Sequence, residues 1–74
     1  MKYRVQCEWD AAAGVWVATS EEVPGLVLEC GSLDALMERV KTAIPELIKL
    51  NKVPESDIDL LFTSQKQERV AVYG

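Results

Sequence analysis

The sequence predicts a small α+β domain: an antiparallel sheet built in the order β-β-β-α-β, with one kinked helix packed on one face. Two patterns carry this prediction. Hydrophobic and polar residues alternate with a period of two near both ends of the chain, which is typical of strands with one wet face. From Ser32 onward the hydrophobic residues are spaced three and four apart, which is typical of an amphipathic helix. The length of 74 residues predicts a single domain over residues 1–74.

Three strands are predicted in the first part of the chain, over residues 3–9, 15–18 and 26–30. Gly14 ends the loop between the first two strands, where a positive φ favours glycine. Val23, Pro24 and Gly25 predict a type II turn before the third strand, because proline suits its second position and glycine its third. An antiparallel meander is the simplest arrangement of these strands.

The helix is predicted from Ser32, a good N-cap, to about Asn51. Its hydrophobic residues form a single stripe: Leu33, Leu36, Met37, Val40, Ile44, Leu47 and Ile48. Pro45 lies inside the helix and cannot donate a hydrogen bond to the carbonyl of Lys41, so a kink is expected there.

A loop over residues 55–57 and a fourth strand over residues 58–63 follow the helix, and a short fifth strand over residues 69–73 is a further candidate. The second, third and fourth strands carry hydrophobic residues on both faces. One helix covers only one face, and uncovered apolar surface usually marks an interface. The domain is therefore predicted to pair with itself or with another protein; whether residues 69–73 pair within the chain or with a partner is left open.

The charge and the residue types limit the function classes. A net charge of −4 repels phosphate backbones, so direct nucleic-acid binding is not expected, whereas a basic protein partner is. There is no apolar run long enough for a membrane span or a signal peptide, and the protein is predicted to be cytoplasmic. Histidine is absent, and the two cysteines form no CxxC motif. No catalytic residue, metal site or cofactor is predicted.

Six residues are predicted to bind a partner: Trp9, Trp16, Glu21, Glu22, Pro24 and Gly25. Tryptophan is enriched at binding hot spots, although core packing is the more common role. Glu21 and Glu22 have three interpretations: a solvated turn, an acidic contact for a basic partner, or a catalytic pair. The last is the weakest, because sequence neighbours in an exposed turn seldom converge on one site.

The order of these motifs resembles the N-terminal domain of HicB-type antitoxins, and most closely a group of small uncharacterised domains related to them. The shared residues are Asp10, Gly14, Trp16, Ala18, Ser20, Glu21, Glu22, Val23, Pro24, Gly25, Ser32, Leu33 and Leu36. The resemblance implies a degraded ribonuclease-H-like fold without activity. It also implies a non-enzymatic protein-binding module that masks a small, basic, HicA-like ribonuclease toxin.

The chain departs from full-length HicB antitoxins in one respect, since no DNA-binding module follows the domain within its 74 residues. Repression of its own operon is therefore in doubt. The alternative function is an orphan structural or regulatory homodimer that has no toxin partner.

Overall fold

The computed structural model describes residues 2–50 and 58–73, apart from the side chain of Leu50. The elements are β1 (Lys2–Asp10), β2 (Val15–Thr19), β3 (Val27–Cys30), α1 (Leu33–Leu50) and β4 (Asp59–Gln65). The predicted α+β class and element order are confirmed. The predicted end of the helix near Asn51 and the loop over residues 55–57 lie outside the described residues.

The four strands form one sheet in the order β3-β2-β1-β4. The meander of β1, β2 and β3 is antiparallel, as predicted. β4 instead pairs parallel to β1, so the prediction of an antiparallel sheet is wrong at this strand and the sheet is mixed. The reason is the direction of the connections. Two hairpins make β3 parallel to β1, and α1 returns the chain along the sheet, so that β4 is parallel to both β3 and β1.

Local hydrogen bonds set both connections of the meander. The Asp10 side chain accepts from the backbone N–H of Ala12 and of Ala13, at 3.1 and 3.2 Å, and Gly14 closes the loop at φ 68°. In the second connection the N–H of Leu26 donates to the carbonyl of Val23 at 3.2 Å, with Gly25 at φ 87°. The predicted type II turn is therefore confirmed, because its third residue requires a positive φ.

The helix begins as the sequence predicts. The Ser32 hydroxyl accepts from the N–H of Ala35 at 3.4 Å, and its carbonyl accepts from the N–H of Leu36 at 3.0 Å. Pro45 lies inside a helix that runs unbroken from Leu33 to Leu50, with its side chain exposed. The kink stays a prediction. α1 lies over β2 and β3. Leu36, Val40, Ile44 and Ile48 of the predicted stripe are buried in the core, whereas Leu33, Met37 and Leu47 are half-buried.

The core lies between α1 and one face of the sheet. Its largest fully buried side chains are Leu36, Val5, Val40 and Cys7. Strand pairing puts Leu60 and Phe62 of β4 on this same face, where they remain half-buried because α1 covers the β2 and β3 side.

The open face of the sheet carries a polar row on β1 and apolar residues on the other strands, as the sequence predicts. The central strand β1 presents a polar row on this face: Lys2, Arg4, Gln6 and Glu8. That row separates Val15, Val17 and Val27 on one side from Leu61 on the other. The uncovered apolar surface is therefore confined to the flanking strands.

No strand forms over residues 66–73, so the candidate fifth strand is wrong within this chain. The hydrophobic side chains of this C-terminal tail (residues 66–73) are almost bare: Val70 is 80% exposed, Val72 89% and Tyr73 93%. The radius of gyration is 14.9 Å, against about 11 Å for a compact domain of this length. The tail thus adds extended, exposed chain to the domain and buries little of its own surface.

Candidate protein-binding site

The six residues predicted to bind a partner lie in two places. Trp9 and Trp16 are paired at the end of the sheet next to the first hairpin loop. Glu21, Glu22, Pro24 and Gly25 follow β2 at its other end. β2 rises by about 3.3 Å per residue, so its length separates the two groups. The structure does not bring the six residues into one site.

The two tryptophans form an edge-to-face pair, with ring centroids 5.5 Å apart and an angle of 63° between the ring planes. This geometry is the one that aromatic quadrupoles favour. Both rings are half-buried, and Trp16 packs against the core. Trp16 therefore serves the core packing that was the more common alternative, and the pair keeps an exposed side.

Lys66 completes this cluster, and no local pattern in the sequence predicts it. Its ammonium lies 4.4 Å from the centroid of the Trp9 ring, within the range of a cation–π contact. It also lies 2.8 Å from Glu68. Lys66 stands 57 residues after Trp9 in sequence, which is the offset of the β1–β4 register, so only the parallel pairing of β4 could have revealed the contact.

The second group forms an exposed acidic loop between β2 and β3. Glu21 and Glu22 are both exposed, and the hydroxyl of Ser20 donates to a carboxylate oxygen of Glu22 at 3.3 Å. Gly25 faces Leu47 of α1, where an added Cβ would lie 3.7 Å from a methyl carbon. The type II turn and this contact hold the loop against the second half of the helix.

A shallow groove of about 410 Å³ runs between α1 and β3, next to this loop. Leu28, Thr42 and Ala43 line it together with the charged residues Glu38, Arg39 and Glu46. Its two carboxylates and the two of the loop border the same edge of the sheet. We call the surface made by Glu21, Glu22, Glu38 and Glu46 the acidic β3 face. The helix carboxylates of this face were not predicted, because a polar helix side usually only faces solvent.

Cys30 lies where β3 meets the start of α1, beside Arg39. The backbone N–H of Ser32 bonds to its sulfur and is the main reason that the pKa of Cys30 lies below its usual range. The Arg39 guanidinium adds to this effect, and it also donates to the carbonyl of Glu29 at 3.2 Å. Burial instead raises the pKa of the Cys7 thiol in the core.

The two thiols are therefore expected to react very differently with iodoacetamide. The thiolate is the reactive form, so the lowered pKa of Cys30 makes its alkylation approach its maximal rate at a lower pH than that of an unperturbed thiol. Cys7 should stay unmodified in the folded protein, because it is 1% exposed as well as harder to ionise. Mass spectrometry of the alkylated peptides between about pH 6 and pH 10, a range that brackets the ordinary thiol pKa, measures both rates. Equal rates at the two positions would contradict this assignment.

Among residues 2–50 and 58–73, no three side chains of the types His, Cys, Asp or Glu come together as a candidate metal site. Over the same ranges, no helix combines the length and the apolar character that crossing a membrane requires.

Comparison with known proteins gives two findings. A family model described as a domain of unknown function, DUF1902, matches residues 2–74. The crystal structure of a hypothetical protein from the extremely thermophilic bacterium Thermus thermophilus is similar, with 34% sequence identity and a TM-score of 0.82 over 95% of this chain and 100% of that one. No curated protein matches. An uncharacterised family is thus confirmed, whereas the resemblance to HicB-type antitoxins stays a prediction.

Proposed function

Because this chain belongs to the DUF1902 family of domains of unknown function, we propose a function from its surface chemistry. The protein is a non-enzymatic protein-binding module that, like HicB-type antitoxins, masks a small, basic, RNA-cleaving toxin. The observation that carries the proposal is the acidic β3 face, where four exposed carboxylates border one edge of the sheet.

The acidic β3 face suits a basic partner in charge, because its four carboxylates outnumber the guanidinium of Arg39 that lines the same groove. The groove offers Leu28 and Ala43 for apolar contact, with Glu38 and Glu46 at its border. Lys41 forms an ion pair with Glu38 at 2.9 Å, but both side chains are largely exposed and such a pair is weak. A guanidinium of the partner can displace it by binding the carboxylate in a bidentate manner.

Charge reversal at Glu21 and Glu22 should weaken the complex by about tenfold or more, because exposed charges at an interface govern association more than folding. The partner to test is a small basic protein encoded by a reading frame beside this gene. Co-expression measures rescue of growth, and titration calorimetry measures the affinity of the purified pair.

A matched control is the double variant Glu8→Lys with Asp59→Lys, on the open face and away from β3. Each double variant replaces two negative side chains with two positive ones, so both change the net charge from −4 to 0. The proposal expects loss of binding only for Glu21→Lys with Glu22→Lys. An equal loss in both variants would contradict a specific site at β3, and a wild-type chain that neither rescues growth nor co-purifies with the basic protein would refute the toxin partner.

A second candidate function is an orphan homodimer with a structural or regulatory role. The observation that favours it is separate from the acidic β3 face: Val70, Val72 and Tyr73 are exposed in the C-terminal tail. Exposed hydrophobic residues in an extended segment beside a free sheet edge favour pairing between chains. The absence of a basic toxin-like reading frame beside the gene would support this candidate over the first.

A further inference from the structure

We infer that the C-terminal tail is an intersubunit strand: β4 and residues 66–73 of one chain pair antiparallel with the same segment of a second copy. This inference rests on the homodimer candidate above and is independent of the toxin. β4 is an edge of the sheet, so one side of its backbone has no strand partner within the described residues. We assign β4 and the C-terminal tail of the second copy as the partner of that edge.

The first argument is that the tail starts in the register of β4. Glu8 pairs with Gln65, and Lys66 then contacts Trp9, so the offset of 57 residues continues past the end of β4. Trp9 lies on the helix side of the sheet, because its strand neighbours Cys7 and Val5 are in the core. Lys66 is therefore on the helix side as well. In an extended chain Val70 and Val72 share this side, since side chains alternate with a period of two.

The second argument is that one register satisfies both hydrophobic pairs. With Lys66 on the two-fold axis, Val70 lies opposite Phe62 of the second copy and Val72 lies opposite Leu60. Phe62 and Leu60 are the half-buried residues of β4 that α1 leaves partly uncovered. A shift of two residues in one direction puts Val70 opposite Ser64. The shift in the other direction keeps Val70 and Val72 opposite Leu60 and Ile58, but it puts Phe62 opposite Glu68. Cross-strand hydrophobic pairs stabilise a sheet, whereas these mixed pairs do not.

The open face agrees with the same register. Ala71 lies opposite Leu61, which is 43% exposed in the single chain. Arg69 lies opposite Thr63, and Tyr73 opposite Asp59, so the charged and polar groups face one another or solvent. The two Lys66 side chains meet at the axis, where like charges repel, and the ion pair of each with its own Glu68 reduces that repulsion. The result is a continuous eight-stranded sheet with both β3 edges free, which leaves the acidic β3 face accessible.

The oligomeric state gives the first test. Light scattering of the wild-type chain should give twice the chain mass of 8.2 kDa. Val70→Glu with Val72→Glu should raise the dimer dissociation constant by at least about 100-fold, because each chain would bury two carboxylates opposite Phe62 and Leu60 of the other. The control is Val27→Glu, at a position 65% exposed on the other sheet edge, and it should leave the dimer intact.

Circular dichroism separates dissociation from unfolding, because Val70 and Val72 contribute little to the core of the single chain. A folded monomer of the wild-type protein overturns the inference. So does a dimer that survives the two tail substitutions, or one that Val27→Glu disrupts. None of these results bears on binding of a basic protein at β3.

Cysteine cross-linking tests the register itself, in a Cys30→Ser background that leaves only the buried Cys7. Lys66→Cys should form a disulfide between copies, since opposed residues of antiparallel strands have Cα atoms about 4.5–5.5 Å apart and a disulfide needs about 4.4–6.8 Å. Ser64→Cys and Glu68→Cys should not, because each lies about 14 Å from its own copy at about 3.4 Å per residue. Cross-linking at either of these positions at a rate equal to or above that at Lys66 overturns the register, because a shift of two residues would make Lys66 and one of these positions equally distant from their own copies.

Discussion

Leu36→Ala is expected to lower the free energy of unfolding by about 3 kcal/mol, since truncation of a buried leucine removes apolar contact and leaves a cavity. Leu36 is fully buried at the centre of the helix stripe. The whole domain is expected to have only about 4–11 kcal/mol of stability, at about 0.05–0.15 kcal/mol per residue. The expected loss for this one side chain is thus a large fraction of the free energy of unfolding of the whole domain.

Urea unfolding followed by circular dichroism measures this loss. All variants need the same protein concentration, because self-association would make the midpoint concentration-dependent. Val27→Ala is the control, at a position 65% exposed, and should cost less than about 1 kcal/mol. A loss below about 1 kcal/mol for Leu36→Ala, outside the usual range for a buried leucine, would mean that α1 does not pack on the sheet as described.

Trp16→Ala is expected to destabilise the domain by about 3 kcal/mol, at the lower end of the range for tryptophan truncation because the ring is only half-buried. The substitution removes both the contact with the core and the edge-to-face pair with Trp9. Trp9 would then be more exposed, so its fluorescence in the folded variant should shift to longer wavelength.

Trp16→Phe is the matched control. Phenylalanine keeps an aromatic ring beside Trp9 and much of the apolar contact, so it should recover more than half of the stability that Trp16→Ala loses. Equal losses of unfolding free energy in Trp16→Phe and Trp16→Ala would indicate that an aromatic ring at position 16 does not stabilise the domain.

Features that depend on neighbouring residues could be predicted from the sequence. The N-cap at Ser32 and the turn at Gly25 each depend on contacts within a few positions. The hydrophobic stripe of α1 is visible in the sequence because its residues are spaced three and four apart. The direction of β4 did not follow from its alternation, because a period of two identifies the faces of a strand but not its neighbour. The six predicted binding residues do not form one site, for a different reason. Trp16 and Glu21 are close in sequence, but the extended strand β2 between them places them far apart in space.

The tail shows a related limit. Its alternation is that of a strand, but no strand within the described chain lies beside residues 69–73. The missing information is which strand lies beside the tail, and a single sequence leaves this open. The contact of Lys66 with Trp9 supplies part of it, because it places the first tail residue beside the end of β1.

The parallel pairing of β1 with β4 also constrains the order in which the chain can fold. β1 is the central strand, yet its partner on one side begins at Asp59, 57 residues after Lys2. The meander and α1 involve shorter loops, and short loops close at lower entropic cost, so they are expected to form first. Until β4 is synthesised and docks, the growing chain displays one long, unpaired edge of β1. Such an edge favours aggregation, and the exposed charged residues Lys2, Arg4 and Glu8 along this strand oppose it.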